Sequence, residues 1–233
     1  LGDVYKRQVF SCMLAFSSLL GNVEGQNIYR IWYDKPASYW EEALPVGNGR
    51  IAAMVFGDPQ LEQIQLNEET VSAGSPYQNY NEEAKTALPE MRRLIFEGKY
   101  EEAQNMAATK ILSQVGNEMP YQTVGRLNIR YQDHKKVNNY YRDLDISNAV
   151  AVTRYEVDGV EFTEETFASF TDQLVIRHIK ASKPGAINCE LFFNTPMRDP
   201  KRSIYGKKGL RLEGITHGSR YFPGKVHYCA CLL

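Results

Sequence analysis

Beyond Pro120 the chain reads as one strand after another, joined by short turns, and this pattern constrains the fold more than any other feature. Leu127-Asn128-Ile129-Arg130-Tyr131 alternates apolar and polar residues. Ala149 to Val157 then meets Asp158-Gly159, a two-residue hairpin signal, before Val160 to Phe170. Leu174 to Ala181 runs to Lys183-Pro184-Gly185, after which Ile187, Cys189, Leu191 and Phe193 share one face and Asn188 and Glu190 the other. Leu210 to Ile215 and Val226 to Leu233 add two more runs. Strands joined this closely favour an antiparallel β-sandwich over an alternating α/β fold. The chain stops at Cys231-Leu232-Leu233 without a turn, so truncation mid-strand is expected.

Earlier segments fit the same scheme with one interruption. Ile28 to Tyr33 is a short β-type run closed by Asp34-Lys35-Pro36. Ile51 to Gly57 starts at Gly47-Asn48-Gly49-Arg50 and is expected to form a hairpin with Glu62 to Asn67 across Asp58-Pro59-Gln60. From Asn81 to about Leu112 the period becomes helical. Met91, Leu94 and Ile95 share a face, Pro89 suits a first turn, and Gly98 is placed to end the helix. A second helix sets Tyr100, Ala103, Ala107 and Ile111 on one side. The pair reads as an inserted helical hairpin lying on a sheet or on a neighbouring domain.

The N-terminal segment is a processing signal in its pattern. Lys6-Arg7 precede an apolar run from Val9 to Leu20, and small residues follow in Gly21 and Gly25. That run is too short to span a bilayer, so residues 1–26 are expected to be a secretory signal peptide and 27–233 an exported domain, periplasmic or extracellular, with no membrane association after processing. Cys12 sits near the start of the run, which disfavours a lipoprotein. The chain opens with Leu1 and not Met, and Asp3 to Gln8 resembles a read-through segment, so whether residues 1–8 are native, and with them the Lys6-Arg7 flank, is left open.

Composition removes several function classes. Lys and Arg number 27 against 28 Asp and Glu, a net charge of −1, so the basic field needed for nucleic acid is missing. A hydrophobic fraction of 43% supports a packed core. The fifteen Tyr suit both sheet surfaces and sugar contacts. No phosphate-cradling Gly-rich Lys motif, His-Glu-x-x-His pair or Gly-x-Ser-x-Gly elbow occurs. Cys189, Cys229 and Cys231 give no complete disulfide framework; Cys229 and Cys231, with His227 on the same strand face, are read as buried strand residues and not as a metal site. The pairs Glu41-Glu42, Glu68-Glu69 and Glu164-Glu165 are poor candidates for the two carboxylates of glycoside hydrolysis, since neighbours on a strand point to opposite faces, and are expected to be solvated because such residues are commonly exposed.

Longer strings carry a resemblance. Trp32 to Ala37, Trp40-Glu41-Glu42-Ala43-Leu44-Pro45-Val46-Gly47-Asn48-Gly49-Arg50, Gln65-Leu66-Asn67-Glu68-Glu69-Thr70 and Leu94 to Ala103, followed by Tyr141 to Asp145, Tyr155 to Val160 and Phe167 to Gln173, resemble the N-terminal domain of the glycoside hydrolase family 95 α-L-fucosidases. The resemblance spans roughly Ile28 to Leu233. It implies a super-sandwich β-domain followed by a helical linker, a catalytic barrel of paired helices and a C-terminal β-domain, of which this chain supplies the first. It further implies inverting removal of α-L-fucose, a fucosylated glycan as substrate, the missing catalytic domain as partner and no cofactor. The family's catalytic Glu and Asn-Asp arrangement lie on the barrel, so no catalytic residue and no metal ligand is assigned to this chain. Val71-Ser72-Ala73-Gly74 departs from the usual Trp-Ser-Gly stretch.

Trp40, Asn48, Arg50, Asn67 and Glu68 are the candidates for substrate binding or for a domain interface. Asn48 and Arg50 have groups able to converge on sugar hydroxyls or on a neighbour's carbonyls. The alternative is local: glycines serving turn geometry, Asn48 in a left-handed position and Arg50 pairing nearby. Trp32, Tyr39 and Trp40 divide in the same way between sugar platforms and packing, with packing favoured. A carbohydrate-binding module without catalysis and a purely structural domain stand as rivals to the enzymatic reading.

Overall fold

The computed structural model describes residues 29–74, 79–113, 119–219 and 223–233. The expected signal peptide falls outside them. The described residues form three antiparallel sheets and a helical hairpin. Strands β1 (Arg30–Tyr33), β6 (Val137–Asp145), β7 (Val150–Val157), β8 (Val160–Ser169) and β9 (Leu174–Ala181) lie side by side in that order in the first sheet. The second runs β10 (Cys189–Asn194), β5 (Gly125–Tyr131), β4 (Leu61–Glu68), β3 (Ile51–Val55) and β2 (Leu44–Gly47). A third small sheet holds β11 (Arg198–Tyr205), β12 (Gly209–Ile215) and β13 (His227–Leu232). The fold is mainly β and consistent with the expected sandwich.

Alternation decides which faces meet. Val46, Ala53, Val55, Ile64, Leu127, Ile129 and Phe193 point from the second sheet into one apolar cluster with Leu144 and Ala151 from the first. Leu212 of the third sheet closes the same cluster from the side. At the far end of the first sheet Tyr155, Val157 and Phe162 form a second cluster. The β7–β8 hairpin turns at Asp158 (φ 49°) and Gly159 (φ 72°), the left-handed pair that matches strand twist in a two-residue loop. The hairpin expected between β3 and β4 also forms, pairing Val55 with Ile64 and Ile51 with Glu68.

The helical hairpin departs from expectation in detail. Helix α1 spans Ala84–Phe96, so Pro89 lies inside the helix and not in its first turn. Gly98 (φ 76°) ends it as expected: Lys99 N donates to Leu94 O at 2.9 Å and Gly98 N to Ile95 O at 3.1 Å, a Schellman closure. Helix α2 (Tyr100–Met106) continues through a π turn at Ala107–Ile111. The two helices pack chiefly on each other, burying Leu94 and Ala103, while Ile95, Phe96 and Tyr100 remain exposed. The apolar faces read from sequence are therefore wider than the seam that closes.

A candidate site at the Asn48–Arg50 turn

Strands β2 and β3 are joined at Asn48-Gly49-Arg50, with Asn48 N donating to Ile51 O at 3.1 Å. Gly49, at φ 94°, is the left-handed residue, whereas Asn48 is not, which corrects the expectation for Asn48. Its side chain instead closes the turn: Asn48 Oδ1 accepts from Arg50 N at 3.1 Å and Ile51 N at 2.9 Å. Asn48 Nδ2 donates to Ser169 O at 2.8 Å, tying the turn to the end of β8 in the facing sheet. Asn48 is thus a stitch between sheets.

Arg50 is the exposed member of the turn. Its Nε lies 3.3 Å from Glu68 Oε1, and Glu68 Oε2 accepts from Thr70 N at 2.8 Å and Thr70 Oγ1 at 2.5 Å. Partial burial works against ionisation of Glu68, but the Thr70 and Arg50 hydrogen bonds outweigh it and hold the carboxyl below the ordinary range. Asn67 pairs with Ala52, one row inward, and its Oδ1 is buried without a hydrogen-bond partner among the described residues. Asn48, Arg50, Asn67 and Glu68 therefore gather at one end of the second sheet.

Trp40 does not join them. It begins a 3₁₀ turn (Trp40–Glu42) ahead of β2, at the end of that strand remote from Asn48. Packing was the favoured expectation for the aromatics, yet Trp40 is 47% exposed, Trp32 61% and Tyr39 57%. Trp32 stacks on Tyr141 at 6.3 Å between ring centroids. The turn is anchored from beneath by Arg142, which donates to Lys35 O and Glu42 O, each at 2.7 Å, and lies 4.1 Å over the Tyr33 ring.

The expectation of solvated glutamate pairs fails at Glu164. Glu165 faces outward, but Glu164 is 1% exposed and faces Glu62, itself fully buried, across the space between sheets. Arg177 bridges them, its Nη2 lying 2.7 Å from Glu62 Oε2 and pairing directly with Glu164. Tyr131 and Tyr155 donate to Glu164 Oε1 at 2.6 and 2.7 Å, and Glu62 Oε1 accepts from Gly57 N at 2.8 Å. Burial pushes the Glu62 carboxyl up to about 7, with the Arg177 charge opposing it. Two close carboxylates, one with raised affinity for its proton, resemble an acid/base pair, but no substrate atom reaches a side chain this enclosed. The cluster pins the sheets together. Cys229 and Cys231 also differ from expectation: both are exposed, with Sγ atoms 3.6 Å apart.

The sequence profile described as glycosyl hydrolase family 65, N-terminal domain, matches residues 31–230. The chain belongs to this family. Over 181 residues this family 65-type N-terminal domain is 37% identical to Alpha-L-fucosidase 2 of Arabidopsis thaliana, covering 75% of the chain and 21% of that protein. It is 26% identical over 162 residues to Probable alpha-fucosidase A of Aspergillus niger, covering 65% and 20%. A similar match, 25% over 174 residues, is found with Probable alpha-fucosidase A of Aspergillus oryzae, covering 70% and 23%. The chain thus spans about a fifth of the length of the curated relatives it matches. The resemblance to α-L-fucosidase N-terminal regions holds, and the profile adds that this domain type is classed with family 65. The turn from Asn48 to Arg50 lies inside the matched region.

Proposed function

We propose that this domain belongs to an exported glycoside hydrolase that removes terminal α-L-fucose from glycans with inversion, the catalytic groups lying on a barrel outside this chain. The observation that carries the reading is the 37% identity, over three quarters of the chain, to the N-terminal part of a protein named as an α-L-fucosidase. In this reading the domain contributes no acid or base. Its carboxylate pair between the sheets is sealed, and the exposed Arg50–Glu68 pair offers hydrogen bonds to the barrel or to a bound sugar at the pocket mouth.

Expression of the longer protein encoded by the source DNA, with fucose release from a fucosylated oligosaccharide as readout, tests the proposal. The longer protein should release fucose with inverted anomeric configuration. Residues 27–233 alone should release none, because losing even one member of a catalytic set commonly costs several powers of ten. Sustained release by residues 27–233 would overturn the assignment of catalysis to the barrel, and a longer protein inactive on every α-L-fucoside would overturn the substrate.

A further inference from the structure

The outer face of the second sheet carries a groove of about 430 Å³ that crosses β4, β5 and β10. Its residues fall in cross-strand rows: Gln63, Asn128 and Phe192 in one, Gln65, Arg126 and Asn194 in the next. Leu61 and Phe192 supply apolar surface, and amides supply groups that both donate and accept. Among the described residues no Asp or Glu lines the groove. Arg130, at its rim, is neutralised by Glu190 at 2.8 Å and lies 4.8 Å over the Phe192 ring. Arg126 is different. Its Nη1 donates to the neutral Gln63 Oε1 at 2.7 Å and its guanidinium lies 5.6 Å over the Phe56 ring, so among the described residues its charge meets no carboxylate.

We propose that this groove binds an acidic glycan segment, its carboxylate or sulfate held by Arg126 and its hydroxyls by Gln63, Gln65 and Asn194. The volume falls within the range of small-ligand sites. The uncompensated guanidinium, with its planar fork of donors, matches a carboxylate or sulfate oxygen pair. The ring of neutral amides matches vicinal hydroxyls, which also need donors and acceptors together. The choice of a glycan rests on the fucosidase reading; the choice of an acidic one rests on the charge of the groove. The chain's net charge of −1 offers no general attraction for polyanions, so binding depends on this local field.

Calorimetric titration of the 233-residue chain with oligogalacturonate, with a sulfated fucan oligosaccharide and with a neutral fucosylated oligosaccharide tests this. Saturable binding of either acidic ligand is expected, weakening as salt rises and falling about tenfold in Arg126→Gln, in keeping with loss of a charge-assisted hydrogen bond. The ligand that binds distinguishes carboxylate from sulfate. Gln65→Ala, an amide with no charge role, should weaken binding by a smaller factor, with melting curves confirming that both variants fold. Absence of binding to both acidic ligands, equal binding of the neutral one, or binding indifferent to Arg126→Gln would overturn the proposal. Because no fucose release is read here, failure of the groove leaves the fucosidase reading standing, and failure of fucose release by the longer protein leaves the binding result interpretable.

Discussion

Two neighbouring side chains of the same turn have opposite relations to the fold. Asn48 makes three hydrogen bonds, one of them to the facing sheet, while Arg50 makes an exposed ion pair with Glu68. Asn48→Ala should therefore lower stability by about 1–2 kcal/mol, and the melting temperature by about 2–8 °C, as partly buried hydrogen bonds are lost. Arg50→Ala should change stability by less than ~0.5 kcal/mol, because exposed pairs are screened. Thermal melts of the two variants check the contrast; equal shifts would contradict it. Glu62 gives a second prediction at this scale. Its proton affinity is raised from an ordinary 4.5 to about 7, so between those values the folded state holds a proton that the unfolded state releases. Stability from this group is therefore present at low pH and lost as pH rises through about 7. Burial lowers the proton affinity of His134 nearby, which acts with the opposite sign, losing stability as pH falls below its ordinary value of 6.5. Glu164, Arg177, Tyr131 and Tyr155 also face the cluster. Subtracting the pH profile of Glu62→Gln from that of the native chain should isolate the falling component, and identical profiles would reject it.

At the scale of elements, local signals predicted local structure. Asp158-Gly159 needed no distant information to specify a hairpin, and Gly98 none to end a helix. What sequence did not disclose depends on contacts made far along the chain. Alternation placed Glu164 and Glu165 on opposite faces, but only the arrival of Arg177, Tyr131 and Tyr155 from other strands makes burial of Glu164 tolerable. Likewise Trp32 lies on the outer face of β1, where it stacks on Tyr141 and not on a second sheet. Strand β11 escaped notice because all eight residues are exposed, Pro200 interrupts them, and Asp199 at φ 50° accompanies a shift of register. Of the candidate site, the clustering of Asn48, Arg50 and Glu68 followed from the hairpin itself, while the remoteness of Trp40 followed from the length of β2. Gly125 tests the coupling between β5 and β10. It sits at φ 137°, and a Cβ there would lie 2.5 Å from Asn194 O. Gly125→Ala should destabilise by on the order of 2 kcal/mol and raise hydrogen exchange first at Arg126–Leu127 and Phe193–Asn194. Uniform exchange across both sheets would show instead that the strain spreads beyond this pairing.

For the whole molecule, the proposed export sets the chemical environment in which the fold must persist. Three cysteines follow the expected signal peptide, all unpaired among the described residues, and Cys229 and Cys231 present their sulfurs on the surface. An exported chain meets oxidising conditions, where exposed thiols react and the fold gains nothing from a disulfide framework. Its stability must come from the apolar cluster shared by three sheets and from the Glu62–Arg177–Glu164 pin. Expression of the longer protein in bacteria should yield exported material shortened by about 25 residues, since the apolar run from Val9 to Leu20 is too short to span a bilayer and is followed by a small-residue exit of the kind that processing recognises. Intact mass reads the shortening directly, and a second mass after thiol alkylation reads the redox state. Substituting Ser for both Cys229 and Cys231 should leave the melting temperature of the processed protein unchanged and remove any disulfide-linked dimer. Exported protein still carrying Val9 to Leu20 would reject the signal peptide. A large loss of stability in the double Ser variant would show that the pair serves the fold after all.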